Sequence, residues 1–464
     1  MSLINTTNMT GRRSSRVRLG TAAAVLLSLT ACQAANDRLL SVTDPDIIIP
    51  ANVNSLEAAN ALANGAVATF RTSTGAGEST WLFGGLLADE WATSSTFIEN
   101  DETDQRRIRE QNGSVTTQLR VLYRVRTRAN AALEALTQFN PTARASIAEM
   151  YLARGYSEMQ LALDFCNGIP IGATGGIPPE NSAPLSNAAV FALAAASLDS
   201  AIAFANGTDA QSTLINRASR VARARVALAV ADFTGAGTFV AGIPTAFAYQ
   251  HTFSLTTGTN TLWGQGLSSR RYSVGDSVEG NARNIPVANA LPFASSRDPR
   301  IPTTIPTTGA INGQDGQTYA RTTTIYGQLT SVDVANGIDA RLVEAEVELK
   351  NGSGSWLTIL NALRAAPPKL GEVSPAALPA LVDPGTDDAR LALLFREKAF
   401  WTFSRGQRLG DLRRLIRQYG RTAASTFPQG VHYKGGSYGV DVNLPVVTDE
   451  RNNPNFKGCT DRNP

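Results

Sequence analysis

The chain has 464 residues, with 42 Lys and Arg against 39 Asp and Glu, for a formal net charge of +3. Arg12, Arg13, Arg16 and Arg18 precede residue 32 and no acid does, so a chain starting at Cys32 would carry 42 minus 4, or 38, bases against 39 acids, a net charge of −1. That balance removes the main support for nucleic-acid binding, and about 430 residues suffice for one large core or two smaller ones.

The first predicted element is an export signal. After the four arginines, an apolar run from Leu19 to Leu29 is about 11 residues long. That suits a signal-peptide core and falls short of the ~20 needed to span a bilayer. The run ends in Leu29-Thr30-Ala31-Cys32, which resembles the bacterial lipobox. On that likeness, residues 1–31 are a lipoprotein signal, cleavage falls before Cys32, and its thiol takes a lipid. A plain signal peptide with an incidental cysteine is the alternative. Acyl chains contribute about 0.8 kcal/mol per buried methylene, so several would anchor a soluble domain firmly. Gln33 stands where, in lipoproteins of this type, an aspartate favours the inner membrane, so the expected location is the outer membrane. No later segment is apolar for long enough to cross a bilayer.

Residues 37–52 read as a polar tether. A helix is predicted from Asn54 or Ser55, with Leu56, Ala59, Ala63, Val67 and Phe70 on one face. A second helical piece covers about Glu78 to Trp91, and the polar loop "TSSTFIENDETDQRR" follows. Thr117 to Gln138 reads as a long helix, with Leu119, Leu122, Val125, Ala129, Ala132 and Leu136 spaced by three or four, ended by Pro141. Arg144 to Asp164, Asn187 to Ala205 and Gln211 to Phe233 continue the series. Helical hairpins of this length cannot bury their apolar faces alone and must stack, as tetratricopeptide-like pairs do, although the strict repeat signature is absent. Residues from about 234 to 336 are rich in Gly, Thr, Ser and Pro and lose the helical period. They read as a loop-rich insertion with a few short strands, and loops this long are usually functional. Helices resume over Ile338 to Lys350, Trp356 to Arg364, Asp387 to Phe403 and Arg408 to Tyr419, before a turn-rich tail, 420–464. The expectation is a mainly α protein in which the scaffold pieces 54–233 and 338–419 pack into a single domain spanning 32–464.

With Cys32 lipidated, Cys166 and Cys459 remain as a pair in an exported protein, a setting that permits a disulfide. The bridge would close a loop of most of the chain, with up to about 5 kcal/mol available from loop entropy. Two separate buried thiols are the other reading; a metal site there lacks a second ligand pair.

Catalytic chemistry finds little footing. His251 and His432 are the only histidines, and no H-E-x-x-H, G-x-S-x-G or Walker pattern occurs. A glycosidase needs only two facing carboxylates, which sequence does not exclude. In "ENDETDQ", oxygen ligands alternate at Asn100, Glu102 and Asp104 and could hold calcium, but the EF-hand glycine and distant glutamate are missing. A solvated acidic loop beside Arg106 and Arg107 is the favoured reading. The arginines at 120, 124, 126 and 128, and at 217, 220, 223 and 225, lie on predicted helices and suit solvated faces or inter-helix pairs. Trp356 and Trp401 are expected in the core.

The stretch "REKAFWTFSRGQRLGDLRRL" is similar to the C-terminal helix pair of the SusD/RagB family of outer-membrane nutrient-binding lipoproteins. Arg396, Glu397, Gly406, Arg408, Asp411, Leu412 and Arg414 carry the likeness, while Arg405 and Leu409 depart from it. "IDARLVEAEVELKNG…ILNALRA" resembles the preceding family segment through Arg341, Glu344, Ala345, Glu346, Asn361 and Arg364. "MYLARGYSEMQLALDFCNGIPIG", "SSRDPRIP" and "NLPVVTDERNNPNFKG" resemble further family stretches in the family's order. Arg408 and Asp411, at i and i+3, are expected to pair on one helix face, and Gly406 to permit the turn between helices. The resemblance implies a SusD-like fold that does no chemistry on its ligand and needs no cofactor. It implies a protein that captures a glycan or other nutrient on loops above the helices and hands it to a TonB-dependent outer-membrane transporter. Sugar rings stack on aromatic planes, so Trp91, Phe97, Asn100, Trp263 and Tyr272 are the candidate ligand residues. A local packing role is equally open for each. A helical-repeat scaffold for protein partners and a cell-surface glycoside hydrolase remain as alternatives.

Overall fold

A computed structural model describes residues 53–172, 181–279, 284–307, 310–446 and 452–464. The leader, Cys32 and the tether, 37–52, lie outside the described residues.

Helix α1 (Leu56–Thr72) starts at Ser55, whose hydroxyl accepts the Ala58 N–H, and it buries Ala59, Ala63, Ala66 and Phe70. Helix α2 (Thr80–Ala88) is buried on every side, as its apolar composition demands. Helix α3 (Ile98–Asp104) forms inside the stretch expected to be a polar loop. Helix α4 (Gly113–Phe139) begins four residues before the predicted start because the Asn112 side chain caps it through the Val115 N–H. Then follow α5 (Arg144–Asp164), α6 (Asn187–Phe204), α7 (Ala210–Ala229) and the unforeseen α8 (Phe233–Val240). After the insertion come α9 (Gly337–Lys350), α10 (Ser355–Ala365), α11 (Asp387–Trp401) and α12 (Arg408–Tyr419).

Successive helices pack on one another: α1 on α4, α4 on α5, α5 on α6, α6 on α7, α7 on α8, α8 on α9 and α9 on α10. This is the stacking that hairpins with one apolar face require. Helix α11 returns to α9, and α12 lies against α2 and α5. The described strands make five antiparallel pairs, each of two short strands. Two of them organise the insertion: Val332–Asn336 with Ala248–His251, and Trp91–Thr93 with Tyr272–Val274. Residues 54–464 form one compact unit with a continuous hydrophobic core. Trp356 and Trp401 are part of that core.

Cys166 and Cys459 are bonded, with Cα atoms 5.9 Å apart. The bridge ties the tail to the end of α5, where the Thr460 N–H also donates to Asn167 O at 2.9 Å and the Leu444 N–H to Asp164 O at 2.8 Å.

The motif residues, scattered through the sequence, converge on buried ion networks. Glu397 binds Arg300 and Arg364, each at 2.8 Å. Arg300 also pairs with Asp298 at 2.7 Å and lies over the rings of Phe400 and Trp401. Glu346 joins Lys398 at 2.7 Å, Tyr419 at 2.7 Å and Arg414. Arg405, one of the two positions that depart from the resemblance, forks onto Asp339 at 2.9 and 2.7 Å. The pair expected between Arg408 and Asp411 does not form. Arg408 instead grips Asp89 bidentately at 2.7 and 2.9 Å. Asp411 takes Lys398 at 2.8 Å and Arg414 at 3.2 Å, and the Arg414 contact is the i, i+3 contact. A buried bidentate partner outweighs a single helix-face contact worth a few tenths of a kcal/mol. Gly406 turns with φ 64°, and a Cβ there would lie 2.2 Å from the Trp81 ring.

Of the arginines predicted on helices, Arg126 pairs with Glu158 at 2.9 Å between α4 and α5, and Arg223 with Asp199 at 2.9 Å between α7 and α6.

Candidate functional site

The strand Trp91–Thr93 follows directly from α2 and pairs with Tyr272–Val274, placing Trp91 opposite Val274 and Thr93 opposite Tyr272. Helix α3 closes over this ladder. Asp104 Oδ2 accepts the Thr93 N–H at 2.7 Å, Asp101 Oδ1 accepts the Thr93 hydroxyl at 2.7 Å, and Asn100 Nδ2 donates to Tyr272 Oη at 3.0 Å. The tail adds a clasp: Lys434 Nζ reaches Asp101 at 2.8 Å, Ser95 O at 2.9 Å and Asp315 at 3.0 Å. The result is a loop layer drawn from segments more than 300 residues apart.

Four of the five nominated residues meet in this layer, but in different roles. Trp91 is 2% exposed and Tyr272 0%. The Trp91 Nε1–H donates to Ser404 Oγ at 3.1 Å, and its ring packs 5.1 Å from that of Phe403 and 6.4 Å from that of Tyr272. Burial raises the Tyr272 phenol well above its ordinary range. Neither ring offers a free face, and Asn100 is equally enclosed, so these three form the floor rather than the contact surface. Trp263 is half-buried on the helical turn Thr261–Trp263, capped by Asn260, and packs against the core. The π-helical segment Gly264–Ser268 that follows lays Gly266 against the Trp91 ring.

Phe97 is different: it is 47% exposed. One face of its ring rests on the Arg271 guanidinium, 4.8 Å from the centroid. Arg271 is fixed in turn by an ion pair with Glu78 and by a hydrogen bond from Nε to Gln314 Oε1 at 3.3 Å. The Phe97 N–H donates to Ser95 Oγ at 3.0 Å. Ile98, the first residue of α3, is exposed as well. An apolar ring is thus held rigidly, one face outward, among amide, carboxylate and ammonium groups. That arrangement can stack on the C–H face of a ligand ring while neighbouring polar groups meet its hydroxyls. Arg271, Gln314 and Lys434, which brace the platform, carried no sequence signal, because the partners they brace lie far away along the chain.

The acidic stretch departs from the solvated loop expected of it. Asn100, Glu102 and Asp104 are buried on α3. Residues two apart on a helix point about 200° from one another, so their oxygens diverge. Glu102 pairs with Arg109 and accepts from Asn112 Nδ2 at 3.2 Å, while Asp104 faces His432 Nε2 at 3.2 Å. Arg106 is buried too, donating to Asp441 O at 2.8 Å and Pro428 O at 2.7 Å. His251 is buried against the Thr74 hydroxyl at 2.7 Å, and burial pushes its pKa down to about 3, which keeps it neutral.

No family model matches the chain, and no curated protein does. Solved structures do match. A SusD superfamily protein from Bacteroides vulgatus superposes with a TM-score of 0.61 at 15% identity, over 87% of this chain and 98% of that one. A SusD-like carbohydrate-binding protein from Bacteroides fragilis gives 0.62 at 13%, over 87% and 99%. The surface glycan-binding protein A from Bacteroides uniformis gives 0.58 at 13%, over 86% and 99%. The chain therefore has the SusD-like fold, mainly α with tetratricopeptide-like pairs.

Proposed function

We propose that this chain is a surface lipoprotein of the SusD/RagB type that captures a glycan and passes it to a TonB-dependent outer-membrane transporter. The observation that carries the binding half is the Phe97 platform: an exposed ring pinned on Arg271 within a loop layer above stacked helices. The superposed proteins named for carbohydrate or glycan binding share the fold over nearly their whole length, which supports the ligand class. The motifs, the lipobox likeness and Gln33 support the anchor and its location. Binding requires no bond to be made or broken in the ligand. The buried carboxylates Glu397, Glu346, Asp339 and Asp89 are each held by a buried cation, a scaffolding use of charge rather than a catalytic one.

The test is calorimetric titration of the purified chain, begun after Cys32, with a panel of soluble glycans. Phe97→Ala should weaken a glycan that binds by about tenfold or more, the scale of one lost aromatic stack, with the helical circular dichroism unchanged. Undiminished affinity in Phe97→Ala would remove the platform from the mechanism. Release of shortened sugars from any of the glycans would refute the non-catalytic reading.

A further inference from the structure

Both cations that brace the Phe97 platform are engaged by acceptors of the protein itself. Arg271 stacks under the ring, pairs with Glu78 and donates from Nε to Gln314 Oε1 at 3.3 Å. An ammonium has three N–H donors, and Lys434 Nζ meets three acceptors: Asp101 at 2.8 Å, Ser95 O at 2.9 Å and Asp315 at 3.0 Å. A third cation, Arg270, is tied to the same layer through its carbonyl, which accepts the Ser94 hydroxyl at 2.6 Å. Its exposed guanidinium donates from Nη1 to Asn312 O at 3.2 Å.

Carboxylates outnumber these cations. Around residues 94–101, Glu78, Glu99, Asp101 and Asp315 stand against Arg270, Arg271 and Lys434. Burial opposes the charge of Asp315, but hydrogen bonds from Thr318 and Lys434 hold its pKa below the ordinary value, so it stays ionised. Glu99 is half-buried two residues from Phe97. With Arg271 matched by Glu78, and Lys434 shared between two carboxylates, Arg270 is left to offset both Glu99 and the second of those carboxylates. Proteins hold carboxylate or sulfate groups with guanidinium forks and ammonium groups that are free to take them. The two cations nearest the Phe97 ring are not free, and the uncompensated charge beside it is negative.

Resting on the reading of Phe97 as the contact surface, we propose that this site selects uncharged glycans and rejects those that carry carboxylates or sulfates. A neutral sugar lays its C–H face on the ring and finds acceptors for its hydroxyls in the surrounding carboxylates. An anionic group over the same ring meets like charge, and it gains Arg271 or Lys434 only by breaking an ion pair. Like charges held together across an interface suppress the wrong partner. Salt screens exposed charges, so the selection is strongest at low ionic strength.

The test is calorimetric titration with soluble glucan, mannan and galactan, each beside the same polymer with its primary hydroxyls oxidised to carboxylates. The oxidised counterpart of a neutral polymer that binds should be weaker by about tenfold or more in about 50 mM salt. That gap should narrow in about 500 mM salt. Glu78→Gln releases the Arg271 charge and should narrow the gap by about threefold or more at low salt. The salt series uses the unaltered protein, so it decides the matter even where Glu78→Gln does not fold. Oxidised polymers that bind as tightly as their parents, or a gap that salt leaves unchanged, would overturn the charge selection and leave the platform standing. Undiminished affinity for the neutral polymer in Phe97→Ala would instead remove the platform, and the selection with it.

Discussion

At the residue scale, the most consequential single group is Glu90, between Asp89 and Trp91. Its Oε1 accepts the Ser404 N–H at 3.0 Å, while Oε2 is buried with no partner among the described residues. Burial pushes its pKa up to about 8 from an ordinary 4.5, so at neutral pH the folded protein holds a proton there that the unfolded chain has released. The folded state then binds more protons than the unfolded one between those two values, and stability falls as pH rises from about 4.5 to about 8 and levels off above. Glu90→Gln keeps the oxygen that receives Ser404 and cannot ionise. The expected outcome is a variant more stable than the parent at pH 8 and a flatter dependence of the unfolding midpoint on pH between 5 and 8. Parallel profiles for the two proteins would show that Glu90 carries no such burden.

At the scale of elements, the clasp between α3 and α4 decides where Phe97 sits. Asn112 serves both helices. Its Oδ1 accepts the Val115 N–H at 2.9 Å, and its Nδ2 donates to Glu99 O at 2.9 Å and Glu102 Oε2 at 3.2 Å. Asn112→Ala removes the cap and leaves the Glu102 carboxylate short of a donor, which should cost about 1–2 kcal/mol in urea unfolding. Asn112→Ser keeps a capping oxygen, loses the donor and adds no charge beside Glu102, so it should fall between. A loss in Asn112→Ala no larger than in Asn112→Ser would mean that the cap contributes nothing. The same clasp explains an unmet expectation. Polar residues from Thr93 to Arg107 look like a solvated loop because their partners, Tyr272, Tyr433, Lys434 and Asp441, are contributed from far along the chain.

At the scale of the whole molecule, the disulfide and the buried ion networks join segments that α4 to α10 could not hold alone. Cys166 and Cys459 are 293 residues apart in sequence, so their bond restrains the tail and, through Lys434, the loop layer that carries Phe97. The proposed anchor acts at this scale too, since it sets where the loop layer can meet a ligand. Cys32→Ala, expressed with its own leader, should move the protein from the membrane pellet to the soluble fraction. A variant that stays in the pellet after a high-salt wash would show that attachment does not depend on that thiol.

Much of the helical frame was legible because it follows from local rules. The apolar spacing in Leu119, Leu122, Val125 and Ala129 needs no distant partner to mark a buried face, and Ser55 or Pro141 punctuates a helix by its own chemistry. The motif order from Asp298 to Arg414 pointed to the SusD-like fold for a related reason: buried charges must be matched, so their identities are written into the sequence even though their partners are not. What the sequence left open was which charge meets which and which aromatic faces solvent. Arg408 chose Asp89 over Asp411, and Trp91, Tyr272 and Asn100 became floor while Phe97 kept an open ring face. Those outcomes depend on the packing of segments hundreds of residues apart, where burial and bidentate geometry outweigh any local preference, and only the tertiary structure brings those segments together.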